Sequence, residues 1–211
     1  TDATGCTGIA NATITQTGTL AVAINLVKNV TCNGGLDGSI DVGVSGGTTP
    51  YIYKWSNGAM TEDISNLSAG TYNLTVTDAS GCLFVSNQNI VQPGLLVGNI
   101  VSQKNISCAG GTDGMVDISV SGGNSPYTFS WSNSILTEDL NNVSAGTYTL
   151  SITDSKNCKA NVNLVFTETS SLSASIISKT DNNCFGAKSG SINLSVSGGQ
   201  APYSFNWING L

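Results

Sequence analysis

Six cysteines, thirteen carboxylates and three tryptophans are the side chains through which this 211-residue chain could act on another molecule, because histidine is absent and all seven basic residues are lysine. Without imidazole there is no Ser-His-Asp or Cys-His nucleophile and no histidine ligand for zinc or iron. Without guanidinium there is no bidentate clamp for phosphate or carboxylate. The composition therefore argues against a hydrolase or a phosphoryl-transfer enzyme, and the expectation is a protein that is not an enzyme and takes no cofactor. A net charge of −6 and a pI near 4.2 have the wrong sign for a phosphate backbone, so nucleic acid is not an expected partner.

The remaining chemistry is that of acids and thiols. Asp37, Asp78, Asp113 and Asp154 stand beside glycines in turn-like text and are weak candidates for offering oxygens to calcium. Asp-Gly is also an ordinary hairpin pair, and Ser189 occupies the place that matches Asp37 and Asp113, so no metal is expected. The acid pairs Glu62-Asp63 and Glu138-Asp139 invite a general acid and base reading, but neighbouring strand residues point to opposite faces. The six cysteines form no Cys-x-x-Cys pair, which points to disulfides and hence to an oxidising compartment outside the cytoplasm. Asn29-Val30-Thr31, Asn66-Leu67-Ser68 and Asn142-Val143-Ser144 have the form of glycan acceptors, but in a chain so rich in Asn, Ser and Thr chance accounts for them.

These residues recur at a fixed period of 76. Cys32, Cys108 and Cys184 keep it, as do Cys6, Cys82 and Cys158, Pro50, Pro126 and Pro202, and Trp55, Trp131 and Trp207. The period divides the chain into the end of one module (1–18), two complete modules (19–93 and 94–169) and the beginning of a fourth (170–211), with junctions near Thr17-Gly18, Pro93-Gly94 and Thr169-Ser170. A chain that begins at Thr1 without Met reads as an interior piece of a longer protein.

Only 9% of the residues are charged and 39% are apolar. Within each module the apolar residues alternate with polar ones, the period of a half-buried strand. Ile40, Val42 and Val44 share one face of one strand. Tyr51, Tyr53 and Trp55 share a face of the next, repeated as Tyr127, Phe129, Trp131 and as Tyr203, Phe205, Trp207. Tyr72 and Tyr148 open a later inward-facing set. These eleven of the fourteen aromatics are expected in a core, in preference to a sugar-stacking platform. Six or seven short strands per module, with turns at Asp37-Gly38, Gly46-Gly47 and Asn57-Gly58, predict an all-β fold of tandem immunoglobulin-like sandwiches. No apolar run is long enough to span a bilayer, and membrane insertion of this segment is not expected.

Two disulfide patterns fit the period. One pairs Cys32 with Cys82 and Cys108 with Cys158, leaving Cys6 and Cys184 to partners outside the sequence. The other pairs Cys6 with Cys32, Cys82 with Cys108 and Cys158 with Cys184. For modules stacked end to end, the second would bridge two module heights, against the roughly 6 Å that separates the Cα atoms of a disulfide, so the first is expected.

The text Cys-Asn-Gly-Gly-Leu-Asp-Gly-Ser-Ile from Cys32, with Ser45-Gly46-Gly47, Pro50-Tyr51, Trp55-Ser56-Asn57-Gly58, Ser68-Ala69-Gly70-Thr71-Tyr72 and Gly81-Cys82, resembles the SprB-type repeat of large surface adhesins in gliding bacteria of the Bacteroidetes group. Ser134 and Asn157 depart from it at the places of Gly58 and Gly81. The resemblance implies an extracellular location on the bacterial cell surface, export by the type IX route and a part in gliding. The expected role is a non-enzymatic stalk of a surface adhesin. Its partners would be the neighbouring repeats of the same chain, with surface polysaccharide or other fibre chains as further candidates. The alternatives are carbohydrate-binding modules of a secreted protein or a spacer attached to a secreted enzyme.

Overall fold

The computed structural model describes residues 1–14 and 18–208, so Thr17 of the first expected junction lies outside the described residues. Among them every regular element is a strand. The chain divides into two compact units, residues 1–93 and 94–211.

In the first unit, β1 (Ala21–Lys28), β2 (Gly38–Ser45) and β4 (Ile64–Leu67) form one antiparallel sheet in the order β1-β2-β4. The second sheet, in the order β3-β5-β6, contains β3 (Ile52–Trp55), β5 (Gly70–Thr77) and β6 (Leu83–Ile90). Alternation decides which side of each strand is buried. Ile40 and Val42 on β2 face Leu74 and Val76 on β5, all at most 3% exposed, while Ile52 and Lys54 on β3 point to solvent. Val30, Trp55, Ile64, Leu67, Tyr72 and Ile90 complete the core. A sheet with one apolar face has no stable state alone, and two such faces closing on each other make a sandwich.

The second unit repeats this design. Its strands are β7 (Val97–Lys104), β8 (Gly114–Ser121), β9 (Tyr127–Trp131), β10 (Leu140–Val143), β11 (Gly146–Asp154) and β12 (Lys159–Phe166), in sheets β7-β8-β10 and β9-β11-β12. The core gathers Val116, Ile118, Trp131, Leu140, Leu150, Ile152, Leu164 and Phe166. Even the irregularities repeat, since the ladder between β1 and β2 shifts register at Ile24/Leu26 and that between β7 and β8 at Ile100/Ser102. After Phe166 come β13 (Ser173–Thr180) and β14 (Ser191–Ser197), an antiparallel hairpin with the same shift at Ile176/Ser178. Each of the two complete modules is thus an all-β sandwich of the immunoglobulin-like kind.

The tryptophans of the two complete modules lie between the sheets. Trp55 and Trp131 are 1% and 2% exposed, and each indole N–H donates to a backbone carbonyl six residues on, at Thr61 and Thr137, both at 3.0 Å. Tyr72 is buried, while Tyr51, Tyr53, Tyr127, Phe129 and Tyr148 pack partly buried against the two cores. The hydroxyls of Tyr72 and Tyr148 donate to the carbonyls of Ser68 and Ser144, the tyrosine-corner device that ties a strand to its preceding bend. In the last segment the expectation of burial fails. Tyr203, Phe205 and Trp207 are 38%, 57% and 39% exposed, because among the described residues only the β13–β14 hairpin forms there and no second sheet covers them.

Candidate functional site at the module ends

The sandwich has two ends of different construction, and the residues singled out by chemistry gather at them. At the leading end, where the chain enters the module, the Ser-Gly-Gly turn after β2 closes on the incoming backbone. The Gly47 N–H donates to the Gly18 carbonyl at 2.8 Å. Gly46 has φ 69°, and a Cβ there would lie 2.1 Å from the Thr19 carbonyl oxygen, so only glycine fits. Beside this turn, Asp78 is the hub of the β5–β6 connection. Its carboxylate accepts from the backbone N–H groups of Ser80 (2.9 Å), Cys82 (2.8 Å) and, across the end of the sandwich, Thr48 (3.0 Å).

Asp154 does the same in the next module. It accepts from the N–H groups of Lys156 (2.8 Å), Cys158 (2.9 Å) and Asn124 (2.8 Å), while the Gly123 N–H reaches the Gly94 carbonyl at 2.8 Å. Both carboxylates are held below the usual range. For Asp78 the leading cause is the Cys82 N–H. For Asp154, burial pushes upward but is outweighed by the donors from Cys158, Asn124 and Lys156. A third copy escapes a reading confined to complete modules. Asp2, 76 residues before Asp78, accepts from the N–H groups of Thr4 (2.9 Å) and Cys6 (3.0 Å). The period itself was the signal that could have found it.

At the trailing end, the β1–β2 loop meets the residues that leave β6. The Val30 N–H donates to the Val91 carbonyl at 3.0 Å, the Asn33 amide to the Pro93 carbonyl at 3.0 Å and the Gly34 N–H to the Gln92 side chain at 2.8 Å. Asp37 braces this loop by accepting from the hydroxyl and backbone N–H of Thr31 and from Lys28 at 3.1 Å. These bonds, that of the Thr31 hydroxyl foremost, hold its carboxyl well below the usual carboxylate range. Asp113 takes Lys104 at 2.8 Å and the hydroxyl and N–H of Ser107, with Lys104 the leading cause of the same depression. In this module the Gly110 N–H donates to Glu168 at 2.7 Å and the Thr169 hydroxyl to the Ser107 carbonyl at 3.2 Å.

The four aspartates of the sequence reading therefore sit at opposite ends in pairs, Asp78 and Asp154 leading, Asp37 and Asp113 trailing. Each has its oxygens directed at protein donors. Among the described residues, no three histidine, cysteine or acidic side chains gather in a way that could hold a metal ion. Of the two acid pairs, Asp63 and Asp139 accept the backbone N–H of Val42 and Ile118, each at 2.8 Å, which pins the β4 side of the sheet. The burial of Trp55 and Trp131 leaves neither face open for stacking on a sugar.

The cysteines require a correction. Cys82 and Cys108 are free and exposed, as are Cys6 and Cys184, whereas Cys32 and Cys158 are disulfide-bonded. The expected bonds Cys32 to Cys82 and Cys108 to Cys158 are therefore not formed. The reason is strand length. Cys32 sits beside residues 91–93, past the end of β6, and Cys82 precedes its start, so the two are separated by eight strand residues, about 26 Å at the usual rise. Cys108 and Cys158 lie at the two ends of β12 in the same way. The rival bonds Cys6 to Cys32, Cys82 to Cys108 and Cys158 to Cys184 are excluded by the same free thiols.

Among solved structures, similarity is distant. A C-terminal 282-residue fragment of intimin, crystallised with the intimin-binding domain of its translocated receptor, is 14% identical with a TM-score of 0.39, covering 76% of this chain and 67% of that one. The IG1 and IG2 domains of DIP-gamma are 12% identical with a TM-score of 0.38, covering 71% and 97%. No curated protein matches the chain. The SprB repeat family matches three times, at residues 25–60, 100–134 and 176–211, together about half of the sequence. The first two matches run from within the first strand of a module through its tryptophan strand, the third takes in most of the β13–β14 hairpin, and the chain belongs to the SprB repeat family.

Proposed function

We propose that these modules form part of the stalk of a large extracellular adhesin or filament on a bacterial surface, with no catalytic role of their own. The observation that carries this reading is the repetition of whole sandwiches with the same hydrogen bonds at both ends, down to Asp78 and Asp154 or Asp37 and Asp113. An enzyme needs one site, whereas a spacer gains length with every copy and needs each copy to be alike. Low charge and the many backbone-satisfied turns suit a segment exposed to solvent and proteases. Membership of the SprB repeat family supports export by the type IX route and a part in gliding or attachment. The neighbouring repeats are the first partners, and surface polysaccharide or other fibre chains are the candidates beyond them.

Antibodies against residues 94–169 provide the test. Intact, unpermeabilised cells of the source bacterium should be labelled and should lose the label on brief external proteolysis. Labelling that needs permeabilisation would overturn the surface reading. Saturable binding of these 211 residues on a glycan array would favour the carbohydrate alternative.

A further inference from the structure

Strand β6 ends the sheet β3-β5-β6, and what lies along its free side follows from the two-residue period of a strand. The Asp78 N–H donates to the Cys82 carbonyl at 3.0 Å, in register with the β5–β6 ladder, so the even-numbered residues of β6 turn their backbone groups toward β5. The odd-numbered residues Leu83, Val85, Asn87 and Asn89 turn theirs the other way. One step on, Val91 continues the row and meets its own module there: its carbonyl accepts from the Val30 N–H and its N–H donates to the Asn29 side chain. Among the described residues no strand lies along the row before it, since β6 pairs with β5 alone.

Long edges are normally blunted by a charge, a proline or a bulge, because an open row of N–H and C=O groups invites another chain. Three of the four eight-residue edge strands in the two complete modules follow that rule. β1 and β7 shift register along their ladders and end on Lys28 and Lys104. β12 opens on Lys159, and the Gln103 side chain donates to its outward Val165 carbonyl at 2.8 Å. β6 has none of these devices. Its sequence Leu-Phe-Val-Ser-Asn-Gln-Asn-Ile carries no charge and no proline, its ladder runs without a shift, and Val27 stands at the place of Gln103. Leu83 and Val85, 67% and 68% exposed, take the places of Lys159 and Asn161.

We propose that the β6 edge is a self-association site, at which a second copy of this chain adds its own β6 antiparallel and joins two β3-β5-β6 sheets into one. An extended row of alternating donors and acceptors is matched by another extended backbone, and this row is matched by itself. A two-fold axis at Ser86 sets Leu83 against Asn89 and Val85 against Asn87 of the second copy, and every outward residue then exchanges both hydrogen bonds with its opposite. No charge on either strand opposes the meeting of two identical edges. On the stalk reading, which this inference deepens by naming a second stalk as the partner, the contact ties neighbouring filaments side by side.

Sedimentation velocity and amide exchange of the 211-residue protein, its free thiols first alkylated with iodoacetamide, test this together. Raising the concentration from about 10 µM to about 1 mM, the range of a small transient contact, should move the protein from monomer toward dimer. Exchange at Leu83, Val85, Asn87 and Asn89 should slow about tenfold over that range, while Asn161 and Asn163 exchange as before. Val85→Pro removes only an outward N–H, which an edge strand tolerates, and should leave a monomer with an unchanged strand signature in circular dichroism. Asn161→Pro, the same change in β12, should still dimerise. If Val85→Pro fails to fold, Val85→Lys, on the exposed outer face, should give the monomer instead. A monomer throughout this range would overturn the proposal, as would a dimer in which the four amides exchange freely. A monomer whose four amides slow only on adding an oligothreonine peptide would give the edge to a foreign strand and overturn it too. Dimerisation through this edge in a protein absent from the cell surface would sink the stalk reading and leave the edge standing; a monomer that is labelled at the cell surface would do the reverse.

Discussion

Trp131 belongs to the buried core of its module. It is 2% exposed, its N–H is satisfied by Thr137 and it lies on a strand paired with the core strand β11. Trp131→Ala should cost about 3–5 kcal/mol by urea denaturation, the usual loss for a buried aromatic. A shift below about 1 kcal/mol would mean that the ring is not part of the core. Ser134 marks the opposite case. It stands where the first module has Gly58, with φ 68° against 89°, in a region that side chains disfavour. Ser134→Gly should therefore stabilise its module by about 0.5–1 kcal/mol, seen as a higher urea midpoint. Asn157, at φ 65° where the first module has Gly81, tolerates the same region better, as asparagine does.

At the scale of the element, the Ser-Gly-Gly turns close the leading end and admit nothing larger. In the second module a Cβ on Gly122 would lie 1.9 Å from the Leu95 carbonyl oxygen, a clash with backbone that no rotamer relieves. Gly122→Ala should cost at least about 2 kcal/mol, and a variant that melts like the parent would show that the turn is not closed in this way. The aspartate hubs make the same ends sensitive to acid. Folding lowers the pKa of Asp37, Asp78, Asp113 and Asp154, so near pH 4 the unfolded chain binds more protons than the native one. Their contribution is present above the unfolded value of about 3.9 and is lost as pH falls below it. The urea midpoint should hold from pH 7 to about 5 and drop steeply between about pH 4 and 2. Asp78→Asn together with Asp154→Asn should flatten that drop, and a midpoint indifferent to pH would refute the assignment.

For the whole molecule, stability should not depend on a divalent cation. The turn aspartates Asp37, Asp78, Asp113 and Asp154 direct their carboxylates at backbone N–H groups, hydroxyls or lysine, so a chelator should leave the melting temperature unchanged within about 1 °C. A rise of several degrees on adding calcium would reveal a site formed from Asp37, Asp113 or their counterparts. The design also explains how so lightly charged a chain folds. Each complete sandwich buries two large aromatics with its aliphatic core, Trp55 and Tyr72 in the first and Trp131 and Phe166 in the second, and repetition keeps every module small while the chain grows.

Much of this was legible in the residues alone. The 76-residue period, the strand character and the inward side of β2, β3 and β5 are local properties, carried by alternation at Ile40, Val42, Tyr53, Trp55, Leu74 and Val76. The destination of the aspartates was not, because a turn acid next to glycine looks the same whether it faces an ion or the amide of a residue 30 positions away, as Asp78 faces Thr48. The disulfide pattern was beyond the sequence for a related reason. Spacing says which cysteines repeat, but only the sandwich decides that Cys32 and Cys82 lie a full strand apart, at opposite ends of their own module. Periodicity is written one residue after another, whereas the ends of a module exist only once its strands have been laid side by side.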